Sequence, residues 1–251
     1  MRRNIKLTIE YDGTNYHGWQ EQDKLQTIQA CLEQAIYDLC KEKVVVYGAG
    51  RTDAGVHAKA QVANFHTESK IPDYAFAKAL NTLLPEDIVI KHSQEVPESF
   101  HSQFAAKRKA YSYNIINRKM RPALNRRFFH WVWALLDVEK MQEGAGYLLG
   151  EHDFSAFEAA NSPRKSNVRT IHSIQVSRKD DYIKIQVEAD GFLYHMVRNI
   201  AGTLIEVGKH KYPPECVKYI LESKNRKFAA STAPARGLFL EYIIYDDEPV
   251  C

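Results

Sequence analysis

No apolar run in this 251-residue sequence is long enough to span a membrane, and the start, Met1-Arg2-Arg3-Asn4, leads into alternating residues, not an apolar signal core. A cytoplasmic protein with no membrane partner is expected. Cysteine is scarce: positions 31, 40, 216 and 251 contain no C-x-x-C pair, which excludes a disulfide scaffold and leaves reduced, packed thiols. The ten histidines show no H-E-x-x-H or other paired ligand spacing, so no metal is expected, and His57, His66, His92 and His101 read as structural.

The most informative absence is acid. Between Ser99 and Leu136 there is no Asp or Glu, while Lys107, Arg108, Lys109, Arg118, Lys119, Arg121, Arg126 and Arg127 supply eight positive charges. Phe100, Phe104, Tyr111, Tyr113, Phe128, Phe129, Trp131 and Trp133 are interleaved with them. A second acid-free stretch, between Glu158 and Asp180, adds Arg164, Lys165, Arg169, Arg178 and Lys179. Cations mixed with rings that can stack on bases are the footprint of a nucleic-acid partner. A solvated basic face over core aromatics is the competing reading.

Local patterns give an order of elements. Ile5, Leu7 and Ile9 alternate with polar residues as in a strand, and Tyr11-Asp12-Gly13-Thr14 marks a turn. Thr27 caps a helical pattern through Leu39; strands are expected at Lys43 to Tyr47 and Ala60 to His66, a helix from Pro72 to Leu80 and a strand at Ile88 to Ile90. In the second half a strand covers Ala110 to Ile116 and Asp137 caps a helix ending at Gly150. A hairpin joins Arg169 to Ser177 with Tyr182 to Val187. Helices follow at Phe192 to Val207 and Pro213 to Leu221, and the last strand is Leu238 to Tyr245. The two comparable halves imply an α+β class with domains at 1–105 and 106–251.

Between the strands at 43–47 and 60–66 lies Gly48-Ala49-Gly50-Arg51-Thr52-Asp53-Ala54-Gly55-Val56-His57-Ala58. Three glycines in eight positions suit a tightly shaped loop. The dinucleotide fingerprint fails here, because Asp53 takes the third glycine position and a strand follows, and no G-K-[ST] triplet is present. Arg51 beside Asp53 favours an ionised carboxylate, suited to a nucleophile or base. From the loop alone, a catalytic Asp53 and a merely turn-capping Asp53 are both open. Arg198 sits in an apolar helical pattern, where a guanidinium calls for a carboxylate partner, and Asp53 is a candidate; a structural pair or a snorkelling arginine are the alternatives.

Five stretches resemble, in order, motifs of the tRNA pseudouridine synthase A family. They are Tyr11-Asp12-Gly13-Thr14-x-Tyr16-x-Gly18-Trp19-Gln20, Gly50 through Ala58, Lys109-x-Tyr111-x-Tyr113, Tyr194 through Asn199, and Ala233-Pro234 through Gly237-Leu238-x-Leu240. Ala235 departs from the pattern, where relatives frequently carry a second proline. The resemblance implies two ferredoxin-like (RRM-like) halves sharing a mostly antiparallel central sheet, with the active-site cleft between them, and a homodimer. It implies a cofactor-free enzyme that binds the anticodon stem-loop of tRNA and converts uridines 38, 39 and 40 to pseudouridine. By motif position, Asp53 is the nucleophile or the base that starts an elimination. Arg51 holds the flipped nucleotide or fills its gap, Tyr111 stacks on the uracil or takes its C5 proton, Arg198 pairs with Asp53, and Leu238 is an apolar floor. Lys107, Arg108, Lys109, Arg126, Arg127, Arg164 and Lys165 are the expected RNA-binding face. Two rivals are a non-catalytic RNA-binding or tRNA-folding protein of the same fold, and a nucleoside hydrolase, which would need a second carboxylate near Asp53.

Overall fold

The structure, a computed structural model, describes residues 2–159 and 166–245. Arg164 and Lys165 lie outside the described residues. Two compact units emerge, Met1–Lys107 with Leu240–Cys251, and Arg108–Phe239. The first boundary falls two residues after the one expected at 105/106. The expected C-terminal domain is also corrected at its far end, because the chain from Leu240 belongs to the first unit.

In the first unit, β1 (Arg3–Tyr11), β3 (His57–Thr67) and β4 (Ile88–Val96) are antiparallel in the order β4-β1-β3, and β2 (Tyr47–Gly48) pairs with β3. With helices α1 (Ile28–Cys40) and α2 (Ala75–Leu80) this is the ferredoxin-like arrangement. The period-2 pattern of β1 buries Ile5, Leu7 and Ile9 completely, opposite Phe65, Ala63 and Gln61. Ile28, Leu32 and Ile36 of α1 join that core, and Phe65 meets Phe76 of α2 edge-on at 5.6 Å. The Thr27 hydroxyl accepts from the Ala30 amide, as its sequence position suggested. The strand expected at Lys43 to Tyr47 shrinks to two residues. One of its backbone donors is diverted to a side chain, the Val46 amide donating to Glu33 Oε1 at 2.9 Å, and just before it Glu42 accepts from the Thr67 hydroxyl and the Glu68 amide at the end of β3.

The second unit holds β5 (Arg108–Asn117), β6 (His130–Val132), β7 (Gly150–Asp153), β8 (Val168–Lys179) and β9 (Tyr182–Ala189). β9 lies antiparallel between β5 and β8, β7 adds antiparallel to β8, and β6 runs parallel to β5. Its helices are α3 (Val138–Gly146), α4 (Met196–Gly208) and α5 (Cys216–Ser223). Neither β6 nor β7 was expected, each being only three or four residues long. α4 begins four residues later than the apolar pattern does, because His195 at its N-cap holds φ 61°, outside the helical region. The last strand, β10 (Leu238–Ile244), starts in the second unit and ends beside β3 in the first. The fold is therefore α+β with mostly antiparallel sheets. Among the described residues Cys31, Cys40 and Cys216 are free thiols, and burial pushes those of Cys31 and Cys40 up. Among the described residues no helix is long and apolar enough to cross a membrane.

Candidate active site

The glycine loop is interlocked with the turn that follows β1. Trp19 N–H donates to the Thr52 carbonyl at 2.9 Å, Gly55 N–H donates to the Tyr16 carbonyl at 3.3 Å, and the Gly13 amide donates to His57 Nδ1 at 3.1 Å. Inward, Thr52 is buried and shares a 2.7 Å hydrogen bond with the Tyr11 hydroxyl, while the Gln61 amide donates to the Gly50 carbonyl at 2.8 Å. The approach is too close for side chains: a Cβ on Gly13 would lie 1.9 Å from the Val56 oxygen, and one on Gly18 (φ 97°) 2.6 Å from the Thr52 oxygen. This explains why Asp12-Gly13 and Gly18-Trp19 accompany the loop in sequence.

Asp53 is half-buried at the head of a turn closed by Val56 N–H onto its carbonyl at 3.1 Å, with Gly55 at φ 76°. Arg51 is exposed. A half-buried carboxylate on a backbone fixed at four points has the stiffness a nucleophile needs.

The second unit positions the other expected residues. Tyr111 on β5 is 8% exposed, and Phe192 lies edge-on to its ring at 5.0 Å. Tyr113, two residues on, is fully buried and donates to the Pro234 carbonyl at 2.9 Å, with burial pushing its phenol far up. The pair therefore divides: Tyr113 is core, and Tyr111 keeps some surface. Arg198, half-buried in the first turn of α4, donates through Nε to the Ala233 carbonyl at 2.8 Å, and the Ala233 amide returns a bond to the Arg198 carbonyl at 3.2 Å. Leu238, 6% exposed, leaves a 3₁₀ turn at Ala235–Gly237 that packs on the Tyr113 ring. Three motifs far apart in sequence are thereby tied together. A residue absent from the sequence reading braces them: Arg226 donates to the Ala229 carbonyl, Asn199 Oδ1 and the Thr232 hydroxyl at 3.0 to 3.1 Å. Burial lowers its guanidinium from the usual value. Its surroundings, Asn225-Arg226-Lys227, read as an ordinary polar turn, so no local pattern betrays it.

The expected basic face is uneven. Lys107, Arg126 and Arg127 are exposed, Lys109 is half-buried, and Arg108 pairs with Glu188 at 3.2 Å. Among the described residues no group of three or more His, Cys, Asp or Glu side chains could hold a metal ion.

A family model described as tRNA pseudouridine synthase matches residues 7–105 and 145–246. The chain belongs to the tRNA pseudouridine synthase family. It is 52% identical over 243 residues to the tRNA pseudouridine synthase A of Acetivibrio thermocellus, covering 97% of this chain and all of that one. It is 51% identical over 243 residues to tRNA pseudouridine synthase A 2 of Clostridium perfringens, again over 97% of this chain and all of the relative. For the protein of the same name in Clostridium tetani the identity is 49% over 248 residues, 98% of this chain and all of the relative. The first matched segment contains the interlocked turn and the Asp53 loop, and the second contains Arg198 and Leu238. Tyr111 and residues 106–144 lie between the two segments, so in this member of the synthase family their placement comes from the structure alone.

Proposed function

We propose that the protein isomerises uridine to pseudouridine at positions 38, 39 and 40 of the tRNA anticodon stem-loop, in the cytoplasm, as a homodimer and without a cofactor. Asp53 is the nucleophile, or the base that starts an elimination. The N1 to C1′ bond of the uridine breaks, the uracil turns, C5 joins C1′, and the proton leaves C5 while N1 takes one up, with no change of oxidation state. The target base must leave its stack, which costs about a few kcal/mol and is offset by phosphate contacts from the basic residues. Tyr111 offers a ring for stacking and a hydroxyl for the C5 proton, Leu238 an apolar surface for the base, Arg198 a fixed positive charge, and Arg51 an exposed guanidinium for the displaced nucleotide or its gap.

The observation that carries this reading is the loop: the backbone bonds of two sequence-distant motifs are used to hold one half-buried carboxylate. The relatives are named as synthases, which disfavours a non-catalytic RNA-binding protein. The test is incubation of unmodified tRNA with wild-type protein, Asp53→Asn and Asp53→Ala, followed by position-resolved pseudouridine mapping. Wild type is expected to modify the anticodon arm, and both variants to bind tRNA without forming pseudouridine. Substantial product from either variant refutes the role of Asp53.

A further inference from the structure

The segment between β5 and β6 has no sequence-evident role in the fold, yet it is where the acid-free stretch is densest. Residues 118–127 form neither helix nor strand, and apart from Pro122 they are exposed. Two apolar side chains sit among the cations with most of their surface in water, Met120 at 78% and Leu124 at 83%. Single exposed apolar residues are ordinary; two within five residues, flanked by Arg118, Lys119, Arg121, Arg126 and Arg127, are not.

The segment is also braced. Arg118 donates through Nε to the Met120 carbonyl at 3.1 Å and pairs with Asp181 of the β8–β9 turn at 3.3 Å. Trp131 donates its indole N–H to the Arg118 carbonyl at 2.8 Å. At the far end Asn125 takes φ 61°, Phe128 N–H closes onto its carbonyl at 3.0 Å, and the Arg126 guanidinium reaches the Ala123 carbonyl at 3.4 Å. Bonds that fix the backbone while leaving Met120 and Leu124 in water reduce the ordering cost of whatever binds them.

We propose that residues 118–127 are an RNA-contacting finger: Met120 and Leu124 pack on base or sugar surface of the tRNA while Lys119, Arg121 and Arg126 engage flanking phosphates. Charge decides the occupant. A polyanion with apolar base faces complements both halves of the surface. A second copy docked isologously would set the same cations against each other, which is costly at the centre of an interface. The inference rests on tRNA as the substrate and adds a contact mode that cation–phosphate pairing does not supply.

The experiment uses the full chain with Met120→Ser/Leu124→Ser, and with the conservative pair Met120→Leu/Leu124→Met. Direct binding to unmodified tRNA is titrated across a salt series, and oligomeric state is followed by sedimentation. The serine pair is expected to weaken binding about ten-fold with an unchanged salt slope, because the slope counts phosphate contacts and the lost contacts are apolar. The conservative pair keeps wild-type affinity. Unaltered binding by the serine pair overturns the finger, as does a change from dimer to monomer with RNA affinity per protomer intact. Binding is read without turnover, so failure of the wild type to form pseudouridine would count against the function and leave this test standing.

Discussion

Replacing Gly13 by alanine isolates the contribution of the interlock. The new Cβ would lie 1.9 Å from the Val56 oxygen, and ordinary contact begins near 3.4 Å, so about 1.5 Å must be recovered. Neither partner is soft. Gly13 is tied by its amide to His57, its neighbour Asp12 donates to the Asp87 carbonyl at 3.0 Å, and Val56 closes the turn onto Asp53. Overpacking of this kind costs about 1–3 kcal/mol, which in a chain of this length lowers Tm by about 3–10 °C. Relief must pass into the Asp53 to Val56 turn, and a displacement near 1 Å at a reacting group costs about 100-fold in rate. The expected phenotype is a folded, tRNA-binding protein with a moderately lowered Tm and kcat about 100-fold down. Thermal unfolding gives the first quantity, and release of tritium from C5-labelled uridine in tRNA gives the second. Gly146→Ala is the control, since no atom lies within 4 Å of its new Cβ. A Gly13→Ala protein with wild-type Tm and kcat would refute the claim that the backbone contact holds the carboxylate in place.

Burial, with help from Arg236 and Lys209, pushes the His130 imidazole from 6.5 down to about 4. Between those values the unfolded chain binds a proton that the folded chain does not, so stability falls as pH falls through that window. The loss is about 2 kcal/mol by pH 5, and urea unfolding of His130→Gln at pH 7 and 5 should show most of it removed. Tyr113→Phe leaves the Pro234 carbonyl without its donor and should cost about 1–3 kcal/mol in stability. Tyr111→Phe should keep the fold and lose turnover; equal effects of the two on kcat would erase the distinction between core and site. Charge reversal at Arg126 and Arg127 should weaken tRNA binding and reduce its salt slope by about 1–2, and an unchanged slope removes both from the binding face.

The sequence was legible where one physical rule governs a stretch. Alternation in Ile5, Leu7 and Ile9 and in Tyr111 to Ile115 specified strands, because successive side chains point to opposite faces, and Thr27 and Asp137 announced their helices because capping is local. It was misleading where side chains compete for the backbone. Val44 to Val46 has strand propensity, yet the Glu33 side chain takes the Val46 amide that a ladder would need. The start of α4 was hidden for a similar reason, since the apolar character of Phe192 to His195 says nothing of a left-handed His195. In the candidate site, Asp53 was legible through its glycines. Thr52, Gln61 and Arg226 were not, because their importance lies in partners that only the fold brings to them: Tyr11 and Trp19 for Thr52, the Gly50 carbonyl for Gln61, and Asn199 with Thr232 for Arg226. Nor could sequence show that Arg51, one residue from Asp53, is turned to solvent.

The path of β10 bears on how the protein is made. Residues Leu240 to Ile244 complete the first unit beside β3, with Glu241 reaching Lys59 at 3.0 Å, although some 130 residues of the second unit intervene in the chain. On the ribosome, at about 5–20 residues per second, the edge of β3 not covered by β2 is then open for about 7–26 seconds after the rest of its unit has emerged. An exposed edge of that kind recruits foreign strands, and a lysine placed on it, as Lys59 is, discourages them. The first part of the chain to be synthesised is thus the last to be finished, and a truncation anywhere before Leu240 would release a protein whose N-terminal unit still seeks a strand.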